Sequence, residues 1–244
     1  LFRSVTGGAG FIGSHLVDSL VSKGLKVRVL DNFSSGRKEF LEHHSETNNV
    51  EIIIADLLDL DAVKSAMNGI ETVHHLAANP DIRLGTEITD TDLQQGTIAT
   101  YNVLEAMRHN GVKRISFASS SAIYGEASVM PTPETYGPVL PISLYGASKL
   151  ASEALISSWC GTFGGEAWIN RFANIVGPRG THGVIFDFIH KLKKDPNRLE
   201  VLGNGLQEKS YMSAEDCVRA MVHLIDNAEG KVRQIGRASC RERV

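Results

Sequence analysis

The amino-acid sequence predicts an α/β protein, a doubly wound parallel sheet with helices on both faces. Short apolar segments typical of strands alternate from the first residues with longer segments whose apolar side chains recur every three or four positions. This alternation is the pattern of a parallel sheet wrapped by helices. A glycine-rich turn joins the first strand to the first helix. With 244 residues, 42% of them apolar, the chain is long enough to bury a substantial core.

The predicted elements of the sheet and its helices occupy residues 2–172. We expect strands at residues 2–6, 27–30, 50–55, 72–77, 115–118 and 167–172, and helices at residues 12–23, 59–67, 91–109 and 143–163. Residues 125–141 contain four prolines and form a connection of unusual length, which is typical of a lid or a binding loop. After residue 172 the pattern loosens, with further helices expected at residues 184–194 and 214–227.

The composition excludes several classes of protein. The 25 basic and 28 acidic residues give a net charge of −3, which argues against a dedicated nucleic-acid-binding protein. No apolar run approaches the length needed to span a membrane. The cysteines Cys160, Cys217 and Cys240 lack the spacing of a disulfide framework or a zinc site. We therefore expect a cytoplasmic globular protein without a metal, a membrane segment or a nucleic-acid partner.

The first strand–helix junction reads TGGAGFIG at residues 6–13. Glycines at such a junction allow a tight turn and let a pyrophosphate approach the helix N-terminus. A glycine motif alone also fits an ordinary tight turn, but here Asp31 ends the next strand, where an acid binds the adenine ribose hydroxyls of NAD. The sequence thus favours a Rossmann-type site for NAD over NADP, although Arg37 and Lys38 lie close to Asp31 in the sequence and weaken this preference.

A second group of residues suggests proton transfer. Tyr145 and Lys149 are four residues apart, which places them on one face of a helix. A lysine ammonium beside a phenol favours the phenolate and makes the tyrosine a usable general base. Alone such a pair is usually a surface pair, but the serines at residues 119–121 end a predicted strand at the same sheet edge as the glycine turn.

These motifs together carry a family resemblance. TGGAGFIG, DN at 31–32, ADL at 55–57, HLAA at 75–78, SSSAIYG at 119–125, YGASK at 145–149 and RFANIVGP at 171–178 occur in this order. Over residues 2–233 the chain resembles the extended short-chain dehydrogenase/reductase family, specifically its NAD-dependent nucleotide-sugar epimerases and dehydratases of the UDP-glucose 4-epimerase type.

The resemblance implies roles for individual residues. The catalytic residues would be Ser120, Tyr145 and Lys149. The residues that bind NAD would be Gly7, Gly10, Phe11, Ile12, Gly13, Asp31, Asn32, Asp56, Leu57, Ala77 and Ala78, with Tyr145 and Lys149. The residues that bind the nucleotide sugar, a UDP-hexose, would be Ser121, Asn174, Val184 and Lys209. No metal is implied.

One local feature separates the branches of the family. Members that dehydrate or decarboxylate the sugar typically place acidic residues after the catalytic hydroxyl, where this chain has Ser121, Ala122 and Ile123. This difference favours epimerisation at C4. A dehydratase or decarboxylase, and a sensor that binds NAD without catalysis, remain the alternatives.

The chain also departs from the family pattern at three positions. Gly96 stands where the family has an asparagine on the cofactor side, and Phe186 replaces a proline. Lys209 stands in place of an arginine, which keeps the charge but loses the bidentate geometry.

The resemblance divides the chain into an NAD-binding domain at residues 1–172 and part of a small substrate-binding region at residues 173–234. We expect the helix at residues 214–227 to pack back on the first domain. Residues 235–244 (IGRASCRERV) match a translated sequencing adapter, so we expect a non-native tail and a truncated substrate domain.

We also expect a homodimer that pairs through the helices at residues 91–109 and 143–163. An apolar stripe of Leu93, Ala99, Val103 and Met107 is the candidate contact, and packing of these residues on the protein's own sheet is the alternative.

Overall fold

The computed structural model describes residues 1–203, 208–228 and 232–235. Within these residues seven parallel strands form one sheet in the order β3-β2-β1-β4-β5-β6-β9. The strands are β1 (Phe2–Thr6), β2 (Lys26–Asp31), β3 (Val50–Ile54), β4 (Ile70–His75), β5 (Arg114–Ser120), β6 (Glu166–Phe172) and β9 (Val232–Ile235). The sheet confirms the predicted doubly wound α/β class.

The helices occupy the connections between the strands. They are α1 (Phe11–Ser22), α2 (Leu60–Ala66), the short α3 (Leu84–Glu87), α4 (Ala99–His109), α5 (Leu144–Phe163), α6 (Val184–Lys194) and α7 (Ala214–Asn227). The segment Leu93–Ile98, directly before α4, is a π-helical turn, and short 3₁₀ turns lie at Lys38–Phe40, Glu42–His44 and Ser121–Tyr124.

Each face of the sheet buries its own apolar core. On one face α2, α4 and α5 contribute Val63, Met107 and Ile156 to a cluster that also contains strand residues. On the other face α1 and α7 pack together, with Leu16 and Met221 fully buried. Residues 214–227 therefore pack against α1 and the sheet.

Two short strands that the sequence analysis missed lie in the part of the chain after residue 172. β7 (Asn174–Val176) pairs in parallel with β8 (Tyr211–Ser213). Both strands have three residues, too few to show the alternation from which a strand is predicted.

β9 reaches Ile235, the first residue of the expected non-native tail. This strand extends the sheet beyond β6, and its Ile235 pairs with Asn170. β9 has the sequence VRQI, and its two central polar residues interrupt the apolar pattern from which a strand is predicted. Residues 236–244 of the expected tail lie outside the described residues.

The prediction that Leu93, Ala99, Val103 and Met107 form an exposed apolar stripe for a dimer contact is wrong. Ala99, Val103 and Met107 are fully buried in the protein's own core, and only Leu93 is exposed. The proline-rich loop of residues 125–141 contributes none of the described residues that line the main cleft. It packs instead through Tyr136 and Val139 against Ile123 and Tyr124.

In the part of the chain that the structure describes, no helix combines the length and apolar character needed to cross a bilayer.

Candidate active site

A cleft of about 460 Å³ lies at the carboxyl edge of the sheet. The strand order reverses between β1 and β4, and open sheets of this kind bind ligands outside the carboxyl ends of the strands at such a reversal. Gly7, directly after β1, and Ala77, shortly after β4, both line the cleft. The topology therefore places the cleft where a ligand is expected.

Most of the residues singled out by the sequence line this cleft. They are Gly7, Gly10, Phe11, Ile12, Gly13, Asp31, Asn32, Leu57, Ala77, Ala78, Ser120, Ser121, Tyr145, Lys149, Asn174 and Val184. Asp56 and Lys209 are not among the described residues that line it. Asp56 accepts a hydrogen bond at 3.0 Å from Nδ2 of Asn32, which lines the cleft. Lys209 is exposed.

The glycine turn is shaped by close approaches of the backbone. Gly7 has a φ of +69°, and a Cβ atom at this position would lie 2.8 Å from the backbone of Ala77. A Cβ atom at Gly13 would lie 2.1 Å from the carbonyl oxygen of Gly7. Gly10 precedes α1 without a side-chain cap, so no capping side chain occupies the first N–H groups of the helix. These groups can bind an anionic phosphate.

Asp31 ends β2 with a nearly buried carboxylate. Its Oδ2 accepts a hydrogen bond from the backbone N–H of Ala9 at 2.9 Å, and its Oδ1 accepts one from the N–H of Phe33 at 2.9 Å. A Cβ atom at Gly36 would lie 2.8 Å from the same Oδ1. The carboxylate thus holds the glycine turn and the following loop together, and its remaining lone pairs can accept ribose hydroxyls.

Lys149 lies buried on α5 and donates a hydrogen bond from Nζ to the carbonyl oxygen of Ala118 at 2.7 Å. Burial lowers the pKa of its ammonium from 10.5 to about 8, although the carboxylates of Asp92 and Glu153 act in the opposite direction. Its Nζ lies 5.7 Å from the centre of the Tyr145 ring, one helical turn earlier. The predicted pair is therefore on one face of α5 and directed towards the cleft.

The serines at the end of β5 face two different environments. Ser120 Oγ lines the cleft and accepts a hydrogen bond from the N–H of Ala122 at 3.2 Å. Ser119 Oγ is buried and donates to Glu153 Oε1 at 2.5 Å. Both serines border the cleft, but the Ser119 hydroxyl is bonded to Glu153 of α5, whereas Ser120 is the more exposed of the two.

The part of the chain after residue 172 meets the cleft through β7 and the start of α6. Asn174 lines the cleft, and its Nδ2 donates to the carbonyl oxygen of Ser210 at 3.2 Å. Val184, the first residue of α6, lines the same side and is exposed. Asn174 thus connects the cleft to the segment that precedes β8.

Comparisons with known proteins agree with this geometry. The profile of the NAD dependent epimerase/dehydratase family matches residues 4–236. The chain belongs to this family. The resemblance found in the sequence is thereby confirmed.

Solved structures and curated relatives of the family resemble the chain over nearly its whole length. The crystal structure of a UDP-galactose 4-epimerase is 44% identical with a TM-score of 0.86, and the match covers 98% of this chain and 77% of that one. The Thermus thermophilus UDP-glucose 4-epimerase, solved with NAD, is 31% identical with a TM-score of 0.84 over 97% of this chain and 78% of its own.

A Methanocaldococcus jannaschii protein, named as a candidate UDP-glucose 4-epimerase, is 35% identical over 95% of this chain and 75% of its own length. The matches also include UDP-glucuronic acid decarboxylases of Xenopus tropicalis and Arabidopsis thaliana, of which this chain spans 53% and 50%.

The sequence analysis missed a buried ion pair that lies next to the cleft. Arg171 Nη2 lies 2.7 Å from Glu153 Oε2, and both side chains are about 95% buried, with exposed fractions of 5% and 4%. Arg171 also donates to the hydroxyl of Tyr124 at 3.1 Å. The four-residue spacing between Lys149 and Glu153 was the available signal, since it places the carboxylate one turn beyond the lysine.

A second unexpected cluster lies outside the cleft, on α1. Asp18 Oδ1 lies 2.7 Å from Nε2 of both His43 and His44, and Asp18 Oδ2 lies 2.8 Å from Arg179 Nη1. Burial raises the pKa of Asp18, but these histidines and Arg179 outweigh it and lower the pKa below its usual value. Asp18, His43 and His44 are residue types that can bind a metal ion, but the Asp18 carboxylate already interacts with protein donors.

Proposed function

We propose that the protein is an NAD-dependent epimerase of a nucleotide-activated sugar, which inverts C4 of a UDP-hexose through a transient 4-keto sugar. One observation carries the proposal: the cleft joins a phosphate-binding glycine turn to a group of Ser120, Tyr145 and Lys149. The family and the names of the relatives support the same activity.

The glycine turn and Asp31 fit NAD. Backbone atoms occupy the positions that Cβ atoms would take at Gly7 and Gly13, so the turn lies close to α1. The uncapped N–H groups at the start of α1 are then available to a diphosphate. Asp31, with Asn32 beside it, would hold the adenosine end, and Tyr145 and Lys149 the other end. When bound, NAD supplies the acceptor and donor for the hydrogen on the sugar carbon.

The chain's own residues move the proton. Tyr145 removes the proton from the sugar O4 as a general base, and the Lys149 ammonium favours its phenolate form by charge. Ser120 Oγ, at the end of β5, donates a hydrogen bond to the same sugar oxygen. The 4-keto sugar then turns over in the cleft, and Tyr145 returns the proton to O4 when the opposite face is reduced.

The 3₁₀ turn after Ser120 supports epimerisation over the decarboxylase and dehydratase alternatives. This turn, Ser121–Tyr124, carries no carboxylate, and its Ala122 and Ile123 are buried. Elimination and decarboxylation need a further acid or base beside the reacting sugar carbons, and this position offers none.

The test is to incubate the protein with NAD and UDP-glucose or UDP-galactose and to follow the C4 epimer by NMR. Epimer formation without net NADH supports the proposal. Stoichiometric NADH would identify a dehydrogenase, loss of C6 as carbon dioxide a decarboxylase, and loss of water from the sugar a dehydratase. Tight binding of NAD without turnover of either sugar would identify a sensor.

We also propose a cytoplasmic homodimer. The support for the dimer is a set of exposed apolar side chains around the π-helical turn, α4 and the start of α5: Leu93, Ile98, Tyr101 and Leu144. Light scattering at micromolar concentration tests it, and a monomeric mass would contradict it.

A further inference from the structure

The π-helical turn Leu93–Ile98 is held in place by specific contacts with α4 and α5. The N–H of Ala99 donates to the carbonyl oxygen of Gln94, five residues earlier, which is the π-helical spacing. The carbonyl oxygen of Gly96 accepts hydrogen bonds from Thr100 Oγ1 at 2.7 Å and from Ser152 Oγ at 3.4 Å. The wide turn is therefore a defined local structure, and π turns within helices are frequent at functional sites.

Glycine at position 96 lets this turn approach α5. A Cβ atom at Gly96 would lie 2.6 Å from Ser148 Oγ, and that hydroxyl donates to the carbonyl oxygen of Tyr145 at 2.9 Å. The turn thus packs directly on the segment of α5 that carries Tyr145 and Lys149. Since residue 96 has no side chain, the neighbouring residue supplies the polar group that this turn presents to the cleft.

That neighbour is Gln95. It is half-buried and lines the same cleft as Ser120, Tyr145 and Lys149. Its amide forms no hydrogen bond with any other described residue, and an amide has two N–H donors and an acceptor oxygen. Gln94, the adjacent glutamine, is not among the described residues that line the cleft.

We propose that Gln95 is a substrate-binding residue that hydrogen-bonds a hydroxyl of the hexose, and this inference rests on the proposed epimerase function. A C4 epimerase must hold two sugars whose hydroxyls differ in direction. The Gln95 side chain carries a donor and an acceptor on a flexible stem, so the same group can bond the hydroxyl in either epimer.

The test compares Gln95→Ala with Gln94→Ala, which removes the same amide one residue earlier. Dissociation constants for UDP-glucose, UDP-galactose and NAD are measured separately by calorimetry on the full chain, together with kcat and KM. Loss of one neutral hydrogen bond is worth about 0.5–1.5 kcal/mol, so Gln95→Ala should weaken both UDP-hexoses about 2- to 12-fold. The Kd for NAD should stay within about twofold. Gln94→Ala should alter none of these constants, and Gln95→Asn should recover part of the lost affinity.

Three results would overturn the inference: unchanged UDP-hexose affinity in Gln95→Ala, an equal loss in Gln94→Ala, or a loss confined to NAD. The last result would place the amide against the nicotinamide carboxamide instead of the sugar. A wild-type protein that epimerises UDP-hexose while Gln95→Ala binds it normally defeats this inference alone. A wild-type protein that binds UDP-hexose through Gln95 but never epimerises it defeats the proposed function alone.

Discussion

At the glycine-turn end of the cleft, most of the site comes from one short segment of the chain, which packs on the backbone of Ala77, whereas at the tyrosine end side chains from distant segments form it. The turn, Asp31 and Gly36 all lie within residues 6–36. The other end combines Ser119 and Ser120 of β5, Lys149 and Glu153 of α5, and Arg171 of β6. The first end depends on close backbone packing, and the second on buried charge. Substitutions at the two ends should therefore fail in different ways.

The largest expected effect is on turnover at the tyrosine end. Tyr145→Phe removes the general base and should lower kcat by about 10²–10⁴-fold, while NAD binding is nearly unchanged. Steady-state kinetics and NAD titration measure the two quantities. Tyr136→Phe is the matched control, because this tyrosine lies in the proline-rich loop, outside the described cleft lining, and its hydroxyl hydrogen-bonds Ser128. Normal turnover in Tyr145→Phe would show that another group accepts the proton.

The buried ion pair should make the tyrosine end sensitive in stability as well. Glu153→Ala leaves the Arg171 guanidinium buried without its carboxylate, and such a change typically costs about 3–5 kcal/mol. Asp226→Ala breaks the exposed pair with Lys23 and should cost less than about 1 kcal/mol. Urea unfolding compares the two variants. If both lose the same small amount, the pair is not what holds β5, β6 and α5 together.

The pH dependence of kcat should reveal the role of the Lys149 ammonium at the tyrosine end. Burial lowers the pKa of Lys149 to about 8. The ammonium is therefore present below this pH and deprotonated above it. Activity should therefore fall as the pH rises through about 8, well below the value of an ordinary lysine. Asp92→Asn removes a carboxylate that raises the pKa of Lys149, so the midpoint should move to lower pH. A constant kcat up to pH 10 would contradict this role of the ammonium.

The smallest effect is expected at the glycine-turn end. Asp31→Asn removes the negative charge that repels a 2′-phosphate, and it keeps an oxygen for one of the N–H groups of Ala9 and Phe33. The ratio of the Kd for NADP to the Kd for NAD should fall about tenfold, or about 1.4 kcal/mol. Calorimetry measures both constants, with Asp61→Asn as the control, because this carboxylate is exposed on α2, outside the described cleft lining. Tighter binding of NADP than NAD by the unaltered protein would refute the cofactor preference itself.

The sequence by itself determined the parts of the protein that depend on neighbouring residues. The alternation of strands and helices, the glycine turn and the helical spacing of Tyr145 and Lys149 are all readable within a few residues, because backbone geometry and side-chain periodicity are local. The family motifs then assigned chemistry to these positions. Their convergence on one cleft follows from the parallel sheet, whose carboxyl ends share an edge.

The tertiary structure alone decided the features whose partners are far apart in the chain. β9 becomes a strand because it pairs with β6, more than 60 residues earlier, although its own sequence shows no strand pattern. The Glu153–Arg171 pair forms because α5 packs beside the ends of β5 and β6. Gln95, and not Gln94, is among the described residues that line the cleft, and both belong to the π-helical turn whose Gly96 packs on Ser148. These features depend on packing between elements that are distant in the chain, and the local periodicity of the sequence carries no signal of such packing.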